Sequence, residues 1–346
     1  MPFTPKGGPG ARRKPLTGPA APLNLGGMKG CRTIAAAVGL GVIVAAGADA
    51  GLGDHLEARL LPYDLLAEPG RAVALRASLR GGLRLDAIEG ARVRFHFDGA
   101  LLGERMTDRQ GNVSLHWKVP ADPGDYPVRI GVHPDDQPAR PVEDATILVA
   151  ARPADAAIAI VDLDKTVVGS GFLRVLLGMA KPMRGAAAVL KKLARTHTIV
   201  YLTHRPDFLV TSSKGWLEKY GFPRGPVLTS TLEDLVVGSG TYKNERLAAI
   251  RETHKNVAVG IGDKFSDAEV YARNGLRSIL ILHVDWSEDD PEDFEKPAEK
   301  LAALPEAVQV VADWDQVAEV LFRGRRYPKE DMEKRLRRAA ADLRRR

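Results

Sequence analysis

Cysteine is nearly absent from this chain. Its 346 residues include one, Cys31, so neither a disulfide framework nor a multi-cysteine metal site can form, and such a chain suits either redox compartment. Long hydrophobic runs are scarce as well. The apolar stretch that begins at Thr33 ends at Gly47, short of the ~20 residues that a membrane-spanning helix needs. A dinucleotide-binding glycine loop is also missing. "GLGVIVAAG" (Gly39–Gly47) follows no strand with its own turn and breaks the G-x-G-x-x-G spacing at Val44. What is present, 45% apolar and 27% charged residues, places the chain among soluble globular proteins, and its length suits two domains.

The net charge of +6 is unevenly spread. Residues 1–50 hold six Lys or Arg against one Asp, and residues 323–346 hold eleven against four acids, so the body between them is acidic. No nucleic-acid partner is therefore expected. A terminal helix, "KEDMEKRLRRAAADLRRR" (Lys329–Arg346), has the composition to attract phosphates, but its simpler reading is a solvated, fraying tail over 324–346.

Residues 1–27 are rich in Gly, Pro and Ala and are expected to be unstructured or a misread extension, with Met28 a candidate start. Residues 28–50 run from two basic residues through the apolar stretch to Ala48 and Ala50, the order of a secretory signal peptide. Export to the periplasm or medium, with possible membrane association, is the expectation; a cytoplasmic location is the alternative.

From 51 to 152, short runs with period-two alternation recur between turn-formers, the pattern of a seven-stranded β-sandwich of bacterial immunoglobulin-like type. Val73, Leu75, Ala77 and Leu79 mark one inward face; Val93, Phe95 and Phe97 a second; Val113, Leu115, Trp117 and Val119 a third. His96 and His116 alternate opposite these faces, so they and His133 read as surface residues and not as metal ligands.

Beyond Pro153 the texture changes. Continuous apolar runs alternate with helix-length segments through 153–323, including "FLRVLLGMAK" (Phe172–Lys181) and "NERLAAIRETH" (Asn244–His254). Parallel β-α-β units in a doubly wound sheet follow from that alternation, with the ligand site at the carboxyl ends of the strands. The acidic stretch Asp285–Glu295 reads as a solvated loop and not a calcium site.

Chemistry-bearing residues stand at those strand ends. Asp162 and Asp164 close the first apolar run, Thr203 ends "VYLT", Lys243 opens a helix, and Asp263 ends "VAVGIG" with Asp267 four residues on. Phosphoryl transfer gives each a role. Residues i and i+2 of a strand share a side, so Asp162 and Asp164 can face one site. Asp162 suits the nucleophile that forms an aspartyl-phosphate, and Asp164 the acid that protonates the leaving alkoxide and then activates water. Thr203 would bind a phosphoryl oxygen, and Lys243 would neutralise charge. A carboxylate approaching an anionic phosphate needs a hard cation, so Mg2+ held by Asp162, Asp164, Asp263 and Asp267 is expected. Arg205 is placed to grip a second anionic oxygen of the substrate through its fork, although a neighbouring carboxylate would serve it equally. His204 reads as structural.

"DLDKT", the threonine of "YLTHRP", Lys243 and "GDKFSD" resemble the four motifs of haloacid-dehalogenase (HAD) phosphatases. "VYLTHRP…WLEKYGFPRGPVLTS" is similar to the lipin-like, phosphatidate phosphatase branch, over about residues 155–285. The chain departs from lipins at Lys165, where they carry glycine, and at Asp263, where they carry asparagine. The resemblance implies a HAD-like Rossmannoid domain and a phosphomonoester, foremost a lipid phosphate, as substrate. The segments 168–197 and 205–243 leave no room for a separate lid of ~50 residues, which favours substrates whose bulk stays outside. A soluble or protein phosphoester, or a non-catalytic lipid-binding module, are the alternatives.

Overall fold

The computed structural model describes residues 58–345 except 83, 139, 170–179, 232, 233 and 235–237. The expected leader at 28–50, with Cys31, and most of the helix expected at Phe172–Lys181 lie outside the described residues.

The first part is a sandwich of two sheets. Its strands are β1 (Arg59–Tyr63), β2 (Leu65–Ala67), β3 (Ala72–Gly81), β4 (Asp86–Ala87), β5 (Arg92–Phe97), β6 (Ala100–Met106), β7 (Asn112–Lys118), β8 (Gly124–Val132) and β9 (Ala145–Ala151). β1, β4 and β7 join β3 in one sheet, and the other runs β2-β9-β8-β5-β6. The alternation read in the sequence fills the core, where Leu75, Ala77, Val93, Phe95, Val113 and Leu115 pack against Val128, Ile130, Ile147 and Val149. Two strands exceed the expected seven because β2 and β4 have only three and two residues, too few to produce an alternating pattern. His116 is exposed, His96 half-buried, and the His133 ring caps a short turn by accepting from Asp135 N.

The second part alternates strand and helix throughout. Its elements are β10 (Ile158–Val161), α1 (Ala186–Leu193), β11 (Thr198–Pro206), α2 (Val210–Lys219), β12 (Val227–Ser230), α3 (Ser239–Thr253), β13 (Val257–Gly262), α4 (Phe265–Arg273), β14 (Arg277–Ile281), α5 (Glu292–Ala303), β15 (Gln309–Val311), α6 (Trp314–Arg323) and α7 (Lys329–Leu343). The sheet order is β12-β11-β10-β13-β14-β15, and every pairing is parallel. All four residues of β10 are buried, as a strand covered on both faces requires. Ala159 and Val161 pack under α1, α2 and α6, while Ile158 and Ile160 pack under α3 and α4. From β10 the chain builds outward to β12, then returns to β13 on the other side. The order therefore reverses at β10 and β13, where ligands of such sheets bind.

Two expectations need correction. The basic terminal segment is no fraying tail: Met332, Leu336 and Ala340 of α7 are buried beside Phe294 and Leu301 of α5, and Arg344 donates twice to Glu295. The acidic stretch is a loop only up to Pro291; its last residues open α5, where acids favour the positive end of the helix dipole.

Candidate active site

β10 ends at Val161, and the next residue turns a carboxylate into the switch point. Asp162 N donates to Ile261 O of β13 at 2.9 Å, while Asp162 Oδ1 accepts from Lys243 Nζ at 2.7 Å. The loop then folds tightly, with Leu163 O accepting from the N–H groups of Thr166, Val167 and Val168. Such a reversal needs a left-handed residue, and Lys165 supplies it at φ 54°. This is the position at which lipins carry glycine, the residue best suited to that conformation. His283 meets Lys165 O at 2.6 Å and Trp314 donates to Thr166 O at 2.8 Å, fastening the loop from the segment after β14 and from α6.

Lys243 lies fully buried in α3 and donates also to Asp267 Oδ2, again at 2.7 Å. Burial opposes its charge, but Asp162 and Asp267 outweigh it and hold the ammonium well above the usual lysine range. Asp267 sits in the first turn of α4 with no exposed surface, its carboxyl pushed up by burial against the pull of Lys243. α4 reaches this position because "GIG" ends β13. A Cβ on Gly260 would lie 2.3 Å from the Tyr271 ring, and one on Gly262 would lie 2.7 Å from Asp267 Oδ2.

Asp263 follows β13 directly. Burial, then the charges of Asp162 and Asp267, push its carboxyl up to about 7. Asp162, Asp263 and Asp267 each offer an oxygen within 4.8 Å of the others, yet share the one ammonium of Lys243. Asp267 Oδ1 is buried with no hydrogen-bond partner. Hard oxygen donors, excess negative charge and an orphaned carboxylate oxygen together fit a divalent cation such as Mg2+. Thr203 lies inside β11, which runs on to Pro206 past the end expected for it; it is buried and accepts from Arg205 N at 3.3 Å, which leaves its own hydroxyl proton available to a ligand.

The remaining assignments change. Asp164 does not join the three-carboxylate group; its Oδ2 and Oδ1 accept from Arg205 Nε and Nη2 at 2.8 and 2.7 Å. The fork of Arg205, assigned above to a substrate oxygen, is therefore committed to Asp164. The His204 ring packs 5.5 Å from that of Tyr242 and meets Asp234 O at 3.2 Å. Three contributors received no role from the sequence. Thr166 Oγ1 stands 3.4 Å from both Asp162 Oδ2 and Asp263 Oδ1; its place in "DLDKT" was the available signal. Ser213 and His283 carried none, because only the fold brings them in. A cavity of about 610 Å³ at the junction of the sandwich with α3 and β12 is lined by none of the site carboxylates.

Residues 159–285 match the family model described as PITM 1-3, LNS2 domain. That domain belongs to the lipin-type, HAD-like phosphatases and implies a lipid phosphatase-like function for the segment. The matched span opens in β10 and closes just past β14, so it holds the site carboxylates with Thr203, Arg205 and Lys243. No curated protein sequence matches the chain. Among solved structures, similarity extends to the D0-D1 domain of intimin (16% identity, 27% of this chain and 43% of that one, TM-score 0.19). It extends also to the adhesin InvE of Yersinia pseudotuberculosis (11%, 28% and 32%, 0.21) and a carbohydrate acetylesterase from Xanthomonas citri (13%, 83% and 75%, 0.24). This chain spans less than half of the intimin fragment and about a third of the adhesin. Scores this low carry no argument about function.

Proposed function

We propose that the α/β domain is a HAD-like, Mg2+-dependent phosphomonoester hydrolase working through an aspartyl-phosphate, with phosphatidate or a related lipid phosphate as substrate. The observation that carries this reading is the Lys243 ammonium joining Asp162 to Asp267 beside Asp263, at the ends of β10 and β13. The lipid assignment is supported by the LNS2 match. Export follows from the leader-like segment and is part of the same proposal.

Each protein group has a task. Lys243 holds Asp162 by Oδ1, which leaves Oδ2 to attack phosphorus while the ammonium neutralises charge building on the phosphoryl group. Thr203 donates its hydroxyl to a phosphoryl oxygen and fixes the in-line approach. Asp164 delivers a proton to the leaving alkoxide as the P–O bond breaks, then removes one from the water that cleaves the Asp162–phosphorus bond. Mg2+, held by Asp162, Asp263 and Asp267, would supply neutralisation of the approaching anionic oxygens.

The test is phosphate release from phosphatidate vesicles and from 4-nitrophenyl phosphate, with Mg2+ or EDTA, for wild type and Asp162→Asn. Both substrates should turn over with Mg2+, and both EDTA and the substitution should lower turnover by about a thousandfold or more. Undiminished turnover in Asp162→Asn would overturn the mechanism. Activity confined to the soluble aryl ester would overturn the lipid assignment, and release from neither substrate would leave a recognition module.

A further inference from the structure

Arg205 is among the most firmly held side chains near the site. Its side chain is 2% exposed, whereas that of Asp164 lying on it is 24% exposed. Nε and Nη2 take both oxygens of Asp164, and Nη1 donates to Ser213 Oγ at 2.9 Å. Ser213 is itself buried in α2. The backbone of Arg205 is fixed as firmly: its carbonyl accepts from Ser230 Oγ at 2.9 Å and its N–H donates to Thr203 Oγ1. Three of the five N–H groups of the fork, one on each nitrogen, are thus engaged by the protein, and Asp164 lies on its open side.

We infer that Arg205, braced by Ser213, is a positioning residue that aims Asp164 at the leaving group. The inference rests on the phosphatase reading above. A short acidic side chain in a loop has freely rotating torsions, and a general acid misplaced by about 1 Å loses much of its effect. A planar fork held from behind removes that freedom. The proton to be delivered sits on one Asp164 oxygen, which opens one of the two Arg205 contacts while the other keeps the direction of the carboxyl. As the bond between Asp162 and phosphorus forms and that to the leaving oxygen breaks, the proton passes to the alkoxide. The carboxylate left behind closes on both nitrogens again. In the second step it takes a proton from water, whose oxygen attacks phosphorus as the Asp162 ester breaks and inorganic phosphate leaves.

Leaving-group dependence separates positioning from other roles. 4-Nitrophenolate departs with little help from an acid, whereas an alkoxide needs the proton. In kcat/KM, which reads the first phosphoryl transfer, Arg205→Gln should lower activity on an alkyl phosphomonoester by about a hundredfold, against about tenfold or less on 4-nitrophenyl phosphate. KM should change little for either. Ser213→Ala, which keeps the pair and removes its brace, should give the same split at about a few-fold, and Arg205→Lys should recover part of the loss. It remains the informative variant should Arg205→Gln fail to fold. A parallel rise of KM for both substrates would mean that Arg205 grips phosphate. A parallel fall in kcat with a lowered Tm would mean a purely structural role; either result overturns the inference. Asp164→Asn separates the two levels of argument. If it splits the substrates and the Arg205 and Ser213 variants do not, positioning alone falls; if it slows both substrates alike, the acid role falls and takes the positioning with it.

Discussion

Asp263 shows how much negative charge this site gathers. Its neighbours Asp162 and Asp267 are each tied to Lys243, and Asp263 itself feels only the pull of Lys264 and Lys243 from a distance. The consequence is a carboxyl pushed from the ordinary 3.8 up to about 7 by burial and by those two charges. In the metal-free protein the folded chain thus keeps a proton that the unfolded chain has released. The stability linked to it is present at low pH and is lost as pH climbs from about 4 through about 7. A divalent cation favours the ionised form and reverses that dependence, releasing a proton as it binds. Thermal unfolding with and without Mg2+ at about pH 5.5 and about pH 8 is the measurement. The rise in Tm from Mg2+ should be clearly larger at the higher pH and should vanish in Asp263→Asn; an equal rise at both pH values would remove Asp263 from the cation site.

At the scale of elements, α7 illustrates what a charge count hides. Its basic residues suggest a solvated segment, yet Met332, Leu336 and Ala340 recur every four residues on one face, and that face is buried with Phe294, Ala298 and Leu301 of α5. Leu336→Ala should therefore cost about 2–4 kcal/mol in denaturant unfolding, whereas a loss of only a few tenths would return the helix to the status of a tail. The strands that carry the site were far easier to read. β10 and β13 are short, wholly apolar and followed at once by aspartate, so periodicity and charge spoke together. Lys243 was recognisable by its place between them, and Asp267 by its offset from Asp263. The partner of Arg205 was not legible, since a guanidinium fork fits a carboxylate and a phosphate equally and only burial decides between them. β2 and β4 escaped for want of length, and Ser213 because a serine in an amphipathic helix gives no sign of what its hydroxyl will meet.

Across the whole molecule the sandwich is joined to the α/β domain through a set of polar side chains. Asp64, at the corner between β1 and β2, accepts from Leu148 N and Lys214 Nζ at 2.7 Å and from Val227 N at 3.1 Å. Val227 belongs to β12, the edge of the parallel sheet, so one carboxylate satisfies an N–H that would otherwise invite a foreign strand. Beside it the Tyr63 hydroxyl donates to Asp207 at 2.7 Å, two residues beyond Arg205, and Arg152 Nε donates to Thr198 Oγ1 at 2.9 Å. The sandwich thus braces the segment that carries Thr203 and Arg205, and a loosely tethered docking module would not need such bonds. Removing Asp64 would leave two backbone donors without their acceptor and take the carboxylate from Lys214, which keeps its bond to Thr146 O, a loss of about 2–4 kcal/mol. Single-tryptophan variants retaining Trp117 in the sandwich or Trp216 in α2 can follow each part separately. In the otherwise native chain the two signals should report one coincident transition, and in Asp64→Ala both should move to lower denaturant, with the sandwich losing its coupling to α2. Two separate transitions before that substitution is made would show that the contacts hold the domains in place without binding their stabilities together.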